Sequence, residues 1–96
     1  MEVIMFVGKE NYPKLRELLL KDDLVSRASV IFKDATSLGY KKEGYYCYIS
    51  GTEESCKKAL EISKDLAEKV ENEDEIISKI KEEEKSAIEG FGGIFG

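Results

Sequence analysis

Leu24-Val25-Ser26-Arg27-Ala28-Ser29-Val30-Ile31-Phe32-Lys33-Asp34-Ala35-Thr36-Ser37-Leu38-Gly39 admits two readings, and the fold turns on which holds. Read with period two, Ser29 to Lys33 is a buried strand, and Asp34 caps one helical turn that stops at Leu38-Gly39. Read with a four-three spacing, Leu24, Ala28, Ile31, Ala35 and Leu38 form a helical stripe with Gly39 as its C-terminal stop. We adopt the strand: three consecutive bulky residues, two of them β-branched, suit a pleated sheet, and Ser26 and Ser29 weaken a helix.

Upstream, Val3-Ile4-Met5-Phe6-Val7 is a short apolar run closed by Gly8, a buried first strand. Pro13 presets helical φ, and Leu15, Leu18 and Leu19 share a face, so residues 13–21 form a short amphipathic helix ending near Asp22-Asp23. Downstream, Lys41-Lys42-Glu43-Gly44 is a turn and Tyr45-Tyr46-Cys47-Tyr48-Ile49 a strand. A helix then starts either with Thr52 as N-cap or with Ser50 and Glu53 as a capping box. Its buried stripe, Cys56, Ala59, Leu60, Ser63, Leu66, Ala67 and Val70, carries it to Val70. Asn72 breaks it, and Glu73-Asp74-Glu75 opens a second helix bearing Ile76, Ile77, Ile80, Ala87 and Ile88.

The resulting order, β-α-β-β-α-α, resembles a ferredoxin-like plait over about residues 2–70, with the fourth strand lost or displaced. The expected fold class is α+β, a ferredoxin-like or related small plait whose three-stranded sheet has helices on one face. Residues 1–89 make one domain, and Gly90-Phe91-Gly92-Gly93-Ile94-Phe95-Gly96 is a Gly/Phe-rich tail. Lys33 to Gly39 and Gly44-Tyr45-Tyr46, with the composition, are similar to stretches of small proteins from methanogenic and other archaea. Neither stretch is a catalytic signature, so the resemblance implies no activity.

Ninety-six residues, 42% of them apolar, suffice for a single core that removes roughly two-thirds of the unfolded surface from water. No apolar run approaches a membrane span, and the segment after Glu2 lacks the basic flank and cleavage site of a leader, so a cytoplasmic protein is expected. The chain has no His, which removes imidazole bases, His-paired nucleophiles and most zinc sites. Residues 1–48 carry a net charge of +1 and residues 49–96 one of −6, and the acidic half would repel nucleic acid. The absence of Gln and His, with heavy use of Lys and Glu, matches the composition of thermophile proteins.

Four of the five tyrosines, Tyr40, Tyr45, Tyr46 and Tyr48, crowd around the turn. Alternation sets Tyr45, Cys47 and Ile49 on one face and Tyr46 and Tyr48 on the other. With helices covering the Cys47 face alone, Tyr46 and Tyr48 stand on an uncovered sheet, a candidate interaction surface joined by Phe91, Ile94 and Phe95 of the tail. Phe91 is expected to dock beside the Ile76, Ile80 and Ile88 helix. Cys47 and Cys56 fall on inner faces as small core residues. The acids at 71–75 and 82–84 lack calcium-loop spacing and read as solvated helix faces, so neither a metal nor a cofactor is expected. Asp65 with Lys69 and Glu75 with Lys79 are four apart, as ordinary helical ion pairs would be.

Gly8-Lys9 precedes the Pro13 helix, where Lys9 and Tyr12 are candidate ligands for an anion. The expected function is a noncatalytic module acting by self-association, as a homodimer, or by binding a protein partner. The alternative is a binder of, or enzyme for, a small phosphate-bearing ligand at that first strand-to-helix turn, for which the residues supply no reacting pair of diagnostic spacing.

Overall fold

A computed structural model describes residues 1–83. Its elements are β1 (Glu2–Gly8), α1 (Tyr12–Lys21), β2 (Ser29–Asp34), β3 (Gly44–Ser50), α2 (Glu53–Ser63), β4 (Ala67–Lys69) and a third helix, α3, running over 73–83. Single 3₁₀ turns at Val25–Arg27 and Thr36–Leu38 flank β2. The strands form one antiparallel sheet in the order β2-β3-β1-β4. Since β3 is antiparallel to both of its neighbours, β1 and β2 run parallel with β3 between them.

The segment that admitted two readings is a strand. Ser29 to Asp34 pairs with Ser50 to Tyr45, placing Val30 opposite Ile49 and Phe32 opposite Cys47. Asp34 ends it by the expected local chemistry: its Oδ1 accepts from the Thr36 backbone N–H at 2.9 Å and from the Thr36 hydroxyl at 2.6 Å. These bonds hold the Asp34 carboxyl below its usual range. Gly39 closes the following turn at φ 90°, a left-handed conformation that a Cβ disfavours. Thr52, not a Ser50–Glu53 box, caps α2, its Oγ1 accepting from the Ser55 N–H at 3.1 Å.

Two expectations are corrected. The first concerns strand number. The helix expected to run to Val70 stops at Ser63, a turn follows, and Ala67-Glu68-Lys69 pairs with Val7-Phe6-Met5 as a fourth strand. Leu66, Ala67 and Val70 continue a helical spacing, but the open side of β1 offers backbone partners and Met5 and Val7 offer an apolar face, which outweigh local propensity. Asp65 and Lys69 are therefore separated by a turn and a strand, whereas Glu75 and Lys79 lie within one helix, 3.9 Å apart.

The second correction concerns the faces of the sheet, for helices lie on both. α1 and α2 bury Leu15, Leu19, Cys56 and Ala59 against Met5, Val7, Cys47 and Ile49. α3 buries Ile76 and Ile80 against Ile4, Tyr46 and Tyr48 on the opposite face, with Ala35 and Leu38 closing the side. Alternation assigned each residue to its face as expected. A helix four residues beyond β4 has little choice of partner: its Ile76 and Ile80 stripe needs an apolar surface, and the first face is already filled. Residues 84–96, which include Ile88 and the tail, lie outside the described residues.

Candidate functional site

The residues singled out by sequence are not brought together. Tyr46 and Tyr48 are 1% and 5% exposed, so the aromatic face expected to stand open is instead the floor under α3. Phe6 and Tyr40 each meet the Tyr46 ring edge-on at a centroid distance of 5.4 Å. The Tyr48 hydroxyl donates a short hydrogen bond to Glu2 Oε1, and Lys81 Nζ lies 2.8 Å from the same oxygen. One carboxylate thus joins β1, β3 and α3. The bond to Lys81, then that to Tyr48, holds the Glu2 carboxyl below its ordinary value, and Glu2 in return raises Lys81. Burial, followed by the Glu2 bond, raises the Tyr48 phenol. Lys79 adds a second clasp, donating to the Leu38 carbonyl at 3.3 Å with its ammonium 4.4 Å from the Tyr40 ring centroid. Phe91, Ile94 and Phe95 lie outside the described residues.

At the first strand-to-helix turn, Lys9 is exposed and Tyr12 is half-buried. The Tyr12 ring stacks on Tyr45 at 3.8 Å and meets Phe32 edge-on at 5.2 Å. Tyr12 is therefore a packing residue that joins α1 to β2 and β3. Lys9 acts at a distance on Asp34, helping to keep that carboxyl ionised. Asn11 at the N-cap directs its side-chain amide to the Leu66 carbonyl at 3.4 Å and makes no side-chain cap.

Both cysteines are fully buried and unpaired. Burial pushes the Cys47 thiol up to about 12, which keeps it protonated and unreactive, and the Cys56 Sγ–H donates to the Met1 carbonyl at 3.4 Å. The buried Ser55 and Ser63 hydroxyls donate to the Leu24 and Ala59 carbonyls at 2.8 and 2.6 Å. Among the described residues no buried side-chain N or O lacks a hydrogen-bond partner, so none is left over to bind or polarise a ligand from the interior.

The surface with unspent binding capacity lies elsewhere. β2 is an edge strand, and among the described residues no strand pairs with its outer side. From Val30 to Lys33 its residues are only partly buried. Beside it, Tyr12, Arg16 and Leu20 of α1 and Val30 and Phe32 of β2 line a groove of about 350 Å³. Leu20 is 48% exposed there. Glu17, whose carboxylate is 2.6 Å from Lys21, lines the outer flank of the helix with Arg16. The groove was not singled out from sequence, although Tyr12, Arg16 and Leu20 recur every four residues along α1. That second stripe, flanking the buried Leu15 and Leu19, was its signal. Comparison with known protein families, with curated proteins and with solved structures finds no match for the chain.

Proposed function

We propose that the chain is a noncatalytic interaction module on a ferredoxin-like plait, working by self-association or by binding a protein partner at the open edge of β2. The element order, with two parallel strands astride β3 and α1 and α2 on one face, supports the plait reading. The interaction reading is carried by one observation: a strand edge that no strand of the described residues pairs lies alongside a groove in which Leu20, Val30 and Phe32 are incompletely buried. Backbone donors and acceptors on an edge give affinity to any strand that joins them, and adjacent apolar pockets give specificity.

Multi-angle light scattering on the full chain over a concentration series, with affinity capture of partners, tests this reading. A mass rising from 10.8 kDa towards twice that value, or a stoichiometric protein partner, supports it. A thermal-shift panel of nucleotides and phosphorylated metabolites tests the alternative. A ligand that raises the midpoint in the wild type and not in Lys9→Ala would replace the interaction reading with anion binding at the first strand-to-helix turn.

A further inference from the structure

We propose that the occupant of the β2 edge is a second copy of this chain, paired antiparallel with β2 about a twofold axis normal to the sheet and centred on Ile31. This rests on the interaction reading above and specifies its surface, register and stoichiometry.

Directly opposed residues in an antiparallel pair project from the same face, so a twofold pairing of β2 with itself must be centred on a residue and not between two. Three centres are available within the strand's apolar run. Centred on Ile31, Val30 of each copy stands opposite Phe32 of the other, which makes two β-branched–aromatic pairs on the α1 face. Ile31 then meets its own counterpart on the α3 face and Ser29 meets Lys33. Asp34 falls opposite Ala28 of the second copy, next to its Arg27, and no like charges are opposed. Centred on Phe32, Val30 would face Asp34 and Ile31 would face Lys33, setting apolar side chains against charges. Centred on Val30, Ile31 would face Ser29 and Phe32 only Ala28, and Lys33 would come against the 3₁₀ turn that ends at Arg27. Only the Ile31 register is compatible with the side chains on both faces, and Lys33, a residue type that commonly discourages edge pairing, is accommodated there opposite a serine.

The helix beside the edge completes the match. α1 runs antiparallel to β2 above the groove, with Tyr12 against Phe32 and Leu20 towards Val30. The twofold that sets Phe32 opposite Val30 therefore brings Tyr12 of one copy to Leu20 of the other, covering the most exposed leucine of the helix. Arg16 and Glu17 lie midway between Tyr12 and Leu20 on the outer flank of α1. At the axis the two Arg16 side chains meet with the two Glu17 carboxylates beside them, each Glu17 also held by Lys21 of its own chain at 2.6 Å, so each guanidinium has a carboxylate of the second copy within its reach to offset the other guanidinium. The product is a continuous eight-stranded sheet in which neither copy of β2 is an edge.

Sedimentation velocity on the full chain and three variants tests the proposal, with melting curves showing that each variant folds. Wild type is expected to be a reversible dimer. Arg16→Glu, which gathers four carboxylates at the axis, is expected to weaken dimerisation roughly tenfold or more, and Arg16→Glu with Glu17→Arg to recover it to within about threefold of wild type. Leu20→Lys is expected to weaken it without lowering the melting midpoint at dilutions where wild type and variant are both monomeric, because Leu20 is 48% exposed in the single chain. A wild-type dimer indifferent to all these changes would overturn this surface while leaving self-association standing. Loss in the single variant without recovery in the double would overturn the Ile31-centred pairing. A strict monomer at all concentrations would overturn both this proposal and the self-association arm of the function.

Discussion

Tyr46 shows what one residue contributes here and why its role was only half legible. Alternation along Tyr45 to Ile49 assigned it to the Tyr48 face, but whether that face meets water or a helix depends on residues 73–83. Its ring is among the largest fully buried side chains, and Tyr46→Ala should cost about 3–5 kcal/mol in denaturant unfolding, the range for emptying an aromatic site in a core. A loss below about 1 kcal/mol would mean that α3 leaves the face open. Leu20→Ala, by contrast, should change monomer stability by less than about 0.5 kcal/mol. Cys47 should stay silent to thiol reagents in the folded protein and react on unfolding, since its thiol is fully buried and pushed up to about 12. The Glu2 carboxyl gives a pH prediction. Its folded pKa lies below the ordinary 4.5, so its contribution is complete above about pH 4.5 and is lost as pH falls through the lower folded value. Lys81 and Tyr48 are both raised, so their contributions hold below their ordinary 10.5 and 10.0 and are lost as pH climbs through the folded values. Glu2→Gln should therefore flatten the acid limb of the stability curve and leave stability near pH 7 independent of pH. An unchanged acid limb would show that Glu2 does not join the three elements.

At the scale of elements, the strand β2, the Pro13 helix and the Thr52 cap were legible because their signals are local: period two with β-branched residues, a preset φ, a hydroxyl three residues ahead of an amide it caps. β4 was not. Ala67, Glu68 and Lys69 are each better suited to a helix by propensity, and their conformation is decided by the unpaired side of β1. Only three pairs hold β4, against seven between β1 and β3. Amide exchange should accordingly be slowest in β1 and β3 and markedly faster in β4, which opens without disturbing the rest of the sheet. Uniform protection across the four strands would contradict this ranking. Gly44 fixes the start of β3 for a steric reason: a Cβ there would lie 2.5 Å from the Val7 carbonyl and 2.6 Å from Phe6 Cζ. Gly44→Ala should therefore lower stability by about 1–3 kcal/mol, the usual cost of overpacking, because the β1 backbone at Val7 must shift and the Phe6 ring must leave its edge contact with Tyr46. A melting midpoint equal to wild type would show that both the Val7 backbone and the Phe6 ring yield without cost.

For the whole molecule, among the described residues, both sheet faces are covered and two strand edges stay open, the three-residue β4 and the six-residue β2, of which β2 runs beside the Tyr12, Arg16 and Leu20 flank of α1. Tyr46 and Tyr48 read as an interaction surface from sequence because no local signal sets a cover over their face; with α3 on that face, the candidate surface moves to the edge. Such a surface is hard to see in sequence, since which strand ends a sheet is a property of the sheet order, and Val30-Ile31-Phe32 would read the same in a central strand. The most direct measurement is an amide NMR titration of the full chain against its own concentration. The account predicts that the resonances of residues 29–34 and of Tyr12, Arg16 and Leu20 move or broaden together as concentration rises, while those of Tyr46 and Tyr48 stay fixed. Concentration-dependent shifts centred on Tyr46 and Tyr48, or no shifts at all, would contradict it.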